Sequence, residues 1–124
     1  MNRRAWTVLT VDDSRTMREM VSVTLRGAGF EVVQADDGVN ALKVLQTNEV
    51  DVIITDLNMP NMDGLELVME LRAKPEFKGK PILFLTTRSG DDDKAKGRAA
   101  GATGWIVKPF DPQRLVQVVN KVCS

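Results

Sequence analysis

Apolar residues along the chain alternate between two spacings. Short, nearly continuous apolar runs occupy Trp6–Val11, Glu31–Ala35, Val50–Thr55, Pro81–Thr87 and Trp105–Val107. Bounded by glycine, proline and acidic residues, such runs predict strands. Between them the apolar positions fall at helical spacing: Met17, Met20, Val21 and Leu25; Ala41, Leu42 and Leu45; Leu65, Val68 and Leu71; and Leu115, Val118, Val119 and Val122. Residues three and four apart share a helix face, so each set predicts a buried stripe. Lys94–Ala100 predicts one more helix, with weak periodicity. Gly27 and Gly29 end the first helix, and "NMPNMDG" is a loop by composition.

Five strands alternating with five helices predict right-handed βαβ units around one parallel sheet, a doubly wound α/β fold. "VIIT" and "ILFL" are apolar without interruption, as strands covered on both faces must be. No repeat, low-complexity segment or linker divides the 124 residues, so 1–124 reads as a single domain with its own core.

Composition then removes whole classes of function. Lys plus Arg and Asp plus Glu number 17 each, and this balance argues against a nucleic-acid or membrane-surface binder. No apolar run approaches the roughly 20 residues of a membrane span, and "MNRR" leads into a strand rather than a signal-peptide core. The lone Cys123 precludes an internal disulfide and fits a reducing, cytoplasmic setting. Histidine is absent. That excludes Ser-His-Asp and Cys-His catalysis, His-ligated zinc and a phosphohistidine. A metal site here must use oxygen ligands, which points to Mg²⁺, Mn²⁺ or Ca²⁺.

The polar residues that follow the strands carry the chemistry. Asp12 and Asp13 follow the first strand, Asp56 the third, Thr86 and Thr87 close the fourth, and Lys108 follows the fifth. In an open α/β sheet ligands bind outside the carboxyl ends of the strands, so all of these side chains converge on one rim. Two carboxylates about 4 Å apart repel by roughly 4 kcal/mol at an intermediate dielectric. A divalent cation converts that repulsion into coordination, and Mg²⁺ suits one or two direct carboxylates with backbone oxygen, water and a phosphate oxygen. Lys108 offers a point charge to a phosphoryl group, and Thr86 a hydroxyl. Taken singly, an Asp at such a junction is as readily a helix cap, and Asp13 or Ser14 can cap the first helix. It is the set at four strand ends that argues for a site.

The acidic pair Asp12–Asp13, "DLNMPNMDG" at Asp56–Gly64, "TT" at Thr86–Thr87 and "GATGWIVKPF" at Gly101–Phe110 together resemble the receiver domain of two-component response regulators, most closely its single-domain chemotaxis members. The resemblance spans nearly the whole chain. It implies a flavodoxin-like sheet in strand order 2-1-3-4-5 and a cis Lys108–Pro109 peptide. It implies that Asp56 accepts a phosphoryl group, that Asp13 ligates Mg²⁺ directly and Asp12 through water, and that Asp56 and the Asn58 carbonyl complete the metal site. Lys108 then pairs with the phosphoryl group and Thr86 moves to hydrogen-bond it. The implied partners are a sensor histidine kinase as phosphodonor and a downstream protein such as the flagellar motor switch. The expected molecule is a monomer without an output domain, and not an enzyme beyond its own phosphorylation and dephosphorylation.

Some positions depart from that pattern or stand outside it. Trp105 replaces the usual Tyr or Phe three residues before the lysine. It reads either as a core residue or, as we favour, as a switch residue on a partner surface with Thr87, Arg88, the fourth helix and the fifth helix. Arg88 is either a modulator of hydrolysis or a solvated arginine. "GRAAGATG" (Gly97–Gly104) precedes a strand and so fails the context of a dinucleotide loop. "DDD" at Asp91–Asp93 reads as an acidic helix N-terminus, the methionines mostly as core filler, and Val116 as a candidate binding residue off the apolar stripe. Competing functions are a phosphorelay receiver or phosphate sink, a Mg²⁺-dependent phosphohydrolase and a flavin binder. The phosphohydrolase lacks a general acid at Asn58 and room for a cap, while Asp12 and Asp13 would repel a flavin phosphate.

Overall fold

A computed structural model describes residues 5–123. In chain order the elements are β1 (Thr7–Val11), α1 (Arg15–Gly27), β2 (Glu31–Ala35), α2 (Gly38–Thr47), β3 (Val52–Thr55), α3 (Gly64–Arg72), β4 (Ile82–Thr86), α4 (Asp91–Ala100), β5 (Gly104–Val107) and α5 (Pro112–Cys123), with a 3₁₀ turn at Pro75–Phe77. The strands form one parallel sheet in the order β2-β1-β3-β4-β5.

Side chains alternate across the sheet, so each strand feeds two cores. On one face Leu9, Val11, Ile53, Ile82 and Phe84 pack with Ala41 of α2 and with Leu67, Val68 and Leu71 of α3. On the other, Val8, Val52, Ile54, Leu83 and Leu85 pack with Val21 and Leu25 of α1 and with Leu115 and Val119 of α5. Burying side chains of this size stabilises the fold by roughly 1.5–3 kcal/mol each before chain entropy is set against it. The helices start where the sequence supplies caps. The Ser14 hydroxyl accepts the Met17 N–H at 3.2 Å, and Asp63 and Glu66 form a reciprocal capping box at α3. Ser14, not Asp13, therefore caps α1, which leaves Asp13 exposed at the rim.

Several expectations from the sequence need correction. β3 begins at Val52 rather than Val50, because the Asp51 carboxylate takes the Thr7 N–H at 2.8 Å ahead of the ladder. α4 starts at Asp91 rather than Lys94, and the acidic run forms its first turn, as read from the sequence. Met20 and Met69 are exposed, so neither fills the core, whereas Met17, Met59 and Met62 pack against it. Val116 is half-buried against the α1–α5 core, so it flanks the apolar stripe rather than standing off it.

Arg72, which the pattern did not single out, fastens the amino-terminal edge of the sheet. Its Nε donates to the Gly101 carbonyl at 2.9 Å and its Nη1 to the Lys80 carbonyl at 2.8 Å, with a further bond to the Phe77 carbonyl. One planar fork thus joins the end of α3, the 3₁₀ turn and the loop after α4. Gly101 adopts φ +110°, and a side chain there would meet Arg72 Cγ at 2.8 Å. Hydrogen bonds from a charged donor contribute about 1.5–3 kcal/mol each. Arg72→Ala is expected to cost roughly 2–4 kcal/mol. Arg72→Lys should recover less than half of that, since an ammonium cannot reproduce the fork. Urea denaturation of the two variants against wild type checks both expectations.

Candidate functional site

β1 pairs with β2 on one side and with β3 on the other, so the chain reverses direction across the sheet between β1 and β3. That reversal opens a crevice at the strands' carboxyl ends. Asp12 and Asp56 each sit one residue beyond their strand, and Lys108 one residue beyond β5. The common offset comes from the ladders: the Asp12 N–H donates to the Ala35 carbonyl at 3.1 Å and the Asp56 N–H to the Val11 carbonyl at 2.8 Å. The sheet itself therefore fixes where these side chains emerge.

Lys108 Nζ donates to Asp12 Oδ2 at 2.7 Å and to Asp56 Oδ2 at 2.9 Å. The lysine side chain is only 10% exposed, so this pair of contacts is screened little by solvent. Burial works to lower the Lys108 pKa, but the hydrogen bonds to Asp12 and Asp56 outweigh it and hold the ammonium above its ordinary value. At Asp12 burial wins: its carboxyl lies above the usual carboxylate value despite hydrogen bonds from Lys108 and from the Ser14 N–H at 2.9 Å. Asp56 Oδ1 accepts the Leu57 N–H at 2.7 Å, so both oxygens of this carboxylate are held. The Asp12 backbone is fixed as well, by a 2.6 Å bond from Arg18 Nη1 to its carbonyl. Nothing in the apolar pattern pointed to Arg18.

Asp12, Asp13 and Asp56 each present a carboxylate oxygen within 4.8 Å of the others. Three carboxylates and one ammonium leave a formal charge of −2 on the rim. An all-oxygen donor set with that charge fits a hard divalent cation of the Mg²⁺ type. Asn58 is exposed in the loop that follows Asp56. Gly64 lets that loop close, since a Cβ there would lie 2.2 Å from the Asp56 carbonyl oxygen and 2.8 Å from Phe84. The Lys108–Pro109 peptide is cis, as the resemblance implies.

The remaining site residues form a chain of contacts leading away from the rim. Thr86 is fully buried at the end of β4, and its hydroxyl accepts the Arg88 N–H at 3.3 Å. The Arg88 carbonyl accepts the Trp105 indole N–H at 2.8 Å. The Arg88 guanidinium, exposed like Thr87, pairs with Asp93 of α4 through two bonds of 3.0 and 3.1 Å. The Trp105 ring lies 5.1 Å from the Phe84 ring and stands over Gly97, where a Cβ would meet it at 2.7 Å. Trp105 is thus half-buried, packed on the core with its N–H satisfied, and Arg88 is not a merely solvated arginine.

The fold agrees with comparisons to known proteins. The model of the response regulator receiver domain matches residues 8–120. A chemotaxis protein CheY homologue of Campylobacter jejuni is 44% identical over 117 residues, covering 93% of this chain and 90% of its own length. Chemotaxis protein CheY1 of Helicobacter pylori (strain J99) is likewise 44% identical over 117 residues, covering 93% and 94%. The structure of chemotaxis response regulator CheY4 of Vibrio cholerae has a TM-score of 0.91 and 48% identity, covering 96% of this chain and 99% of its own. This chain belongs to the response regulator receiver domain family.

Proposed function

We propose that this receiver accepts a phosphoryl group on Asp56 from a sensor histidine kinase, in a Mg²⁺-dependent reaction, and thereby changes its affinity for a protein partner in chemotaxis. The observation that carries the reading is the shared cation: Lys108 bridges Asp12 and Asp56, with Asp13 in reach, at the carboxyl ends of the strands. The chemotaxis setting is supported by the names of the relatives, whose own lengths the match covers to 90% and 94%. In this reading the receiver works as a cytoplasmic monomer and signals by binding, the flagellar motor switch being the expected target. Among the described residues no helix is long and apolar enough to cross a membrane.

The Leu57 N–H and Lys108 hold the two oxygens of Asp56, which sets the plane of the nucleophile before a phosphodonor arrives. An Asp56 oxygen bonds to phosphorus as the phosphorus–nitrogen bond of a phosphohistidine breaks and the imidazole leaves. Such transfer rests on positioning and charge neutralisation. Lys108, released from Asp56, turns to the new phosphoryl oxygens. A divalent cation held by Asp12, Asp13, Asp56 and the Asn58 carbonyl would supply the rest of the neutralisation. Attack by water on phosphorus returns phosphate and the free carboxylate.

The switch follows from the contacts behind Lys108. A phosphoryl oxygen attracts the Thr86 hydroxyl, which changes the bond that this hydroxyl accepts from the Arg88 N–H. Arg88 in turn holds Trp105 of β5 and pairs with Asp93 of α4, so the change reaches both elements. A tenfold shift between two states needs only about 1.4 kcal/mol of differential stabilisation, within reach of one charge-assisted hydrogen bond.

Three outcomes are expected. With acetyl phosphate and Mg²⁺, intact-mass spectrometry should show one added phosphoryl group, absent with EDTA and absent in Asp56→Asn; labelling that survives either change contradicts the assignment. Trp105→Phe removes the indole N–H and should weaken partner binding in the activated state while leaving phosphorylation rates within about twofold of wild type, on the order of 0.4 kcal/mol or less.

The third concerns pH. Burial raises the Asp12 pKa, so the folded chain binds this proton more tightly than the unfolded chain does. Ionisation of Asp12 therefore costs stability, and the cost grows as pH rises from the ordinary carboxylate value through the raised one. Metal-free Asp12→Asn should unfold at higher urea than wild type at neutral pH, the difference closing below the ordinary carboxylate range, while its Mg²⁺ affinity falls. An equal or lower midpoint at neutral pH would show that the charge is not a burden on the fold.

A further inference from the structure

The loop between Asp56 and α3 is held at both ends by its own backbone, with the Gly64 N–H donating to the Leu57 carbonyl at 2.8 Å. Its middle is held by a different part of the chain. Asp37, the residue before α2, is 6% exposed and spends its two carboxylate oxygens on two tasks. Oδ1 caps α2 by accepting the Asn40 N–H at 2.8 Å. Oδ2 accepts the Asn61 side-chain amide at 2.7 Å, across 24 residues of sequence. Asn61 is the only non-glycine among the described residues with positive φ, at 68°. Asparagine tolerates that region better than most residues, and here its side chain is tied down.

Beside this bond the Gly38 N–H donates to the Met62 carbonyl at 3.2 Å. A Cβ at Gly38 would lie 2.7 to 2.9 Å from Met62 side-chain and backbone atoms, so the two loops meet with no room between them. The Asn40 N–H first, and then the Asn61 amide, keep the Asp37 carboxyl below its usual value, consistent with a charged acceptor for both. A cap needs only one oxygen. The second oxygen serves the loop that carries Asn58.

We infer that Asp37 is a positioning residue for the metal site: through Asn61 it fixes the loop that presents the Asn58 carbonyl. The inference rests on the reading of that loop as part of a Mg²⁺ site. Groups that orient metal ligands without touching the metal typically carry about 10–100-fold in affinity. One hydrogen bond acting through a backbone belongs at the low end, about tenfold.

Asp37→Ser keeps a helix cap but lacks the second oxygen. Asn61→Gly removes the amide, suits the positive φ and leaves α2 untouched. Isothermal titration of the unphosphorylated protein with Mg²⁺ should show each variant binding about tenfold more weakly, and the double variant no more weakly than either single. Asp37→Asn, which restores the bond once the Asn61 amide reverses, should recover most of the affinity. Ala41→Gly, which weakens α2 through propensity and packing alone, should lower the melting temperature and leave Mg²⁺ affinity unchanged. Wild-type Mg²⁺ affinity in Asp37→Ser or Asn61→Gly overturns the inference while the metal site stands. Absence of Mg²⁺ binding by the wild-type protein overturns the metal site and this inference together.

Discussion

The structure depends on keeping like charges together where they repel. Asp12 and Asp56 emerge beside each other because β1 and β3 are neighbours in the sheet and both carboxylates stand one residue past the strand. The ladder bonds that place them belong to the core, and they cannot relax without breaking it. Lys108 offsets part of the repulsion and no more, because one ammonium faces three carboxylates. Burial adds to the burden: it holds the Asp12 carboxyl above its ordinary value even with Lys108 and the Ser14 N–H bonded to it, and the Asp56 charge contributes the smallest part. A site left electrostatically short of positive charge is poised to take up a cation, and with it a phosphoryl group, which brings its own negative oxygens to the same lysine.

Everything behind the rim can be understood as holding that arrangement and sensing its relief. The Leu57 and Ser14 N–H groups fix the Asp56 and Asp12 carboxylates, and Arg18 fixes the Asp12 backbone through its carbonyl. Thr86, Arg88 and Trp105 form a line of hydrogen bonds from the rim to α4 and β5. α4 is well placed to respond. It has little apolar surface of its own, with Gly97 as its only buried residue, and it is tied at its first turn by the Arg88–Asp93 pair. Arg72 holds the loop after its last turn. An element packed so lightly can shift at low cost, whereas β4 beneath it is buried along its whole length.

Much of this was legible in the sequence, for a simple reason. Strand ends are marked by the change from apolar to polar residues, so Asp12, Asp56, Thr86 and Lys108 announced themselves by position. Strand order did not follow from the pattern; it came with the family resemblance. What stayed hidden were contacts between residues distant in sequence. Arg72 reaches Gly101, and Asp37 reaches Asn61, yet each looks by itself like a helix-end arginine or a turn aspartate. The exposure of Met20 on the expected α1 stripe and the packing of Val116 against the core differ from the pattern because a single residue's place on a helix face depends on how the helix rolls against the sheet, which periodicity fixes only to within a residue or so. The role of Trp105 is intermediate. Its position was informative, but that its N–H is bonded to the Arg88 carbonyl and its ring seated over Gly97 required coordinates.

The central claim is that the carboxylates and Lys108 act as one electrostatic unit, which takes up a phosphoryl-like group at Asp56 only together with a divalent cation. Fluorine NMR with beryllofluoride, a tetrahedral mimic of a phosphoryl group, tests it directly. Protein-bound fluorine resonances are expected when Mg²⁺ and beryllofluoride are both present, and none when EDTA removes the metal. Bound resonances of equal intensity without any divalent cation would contradict it.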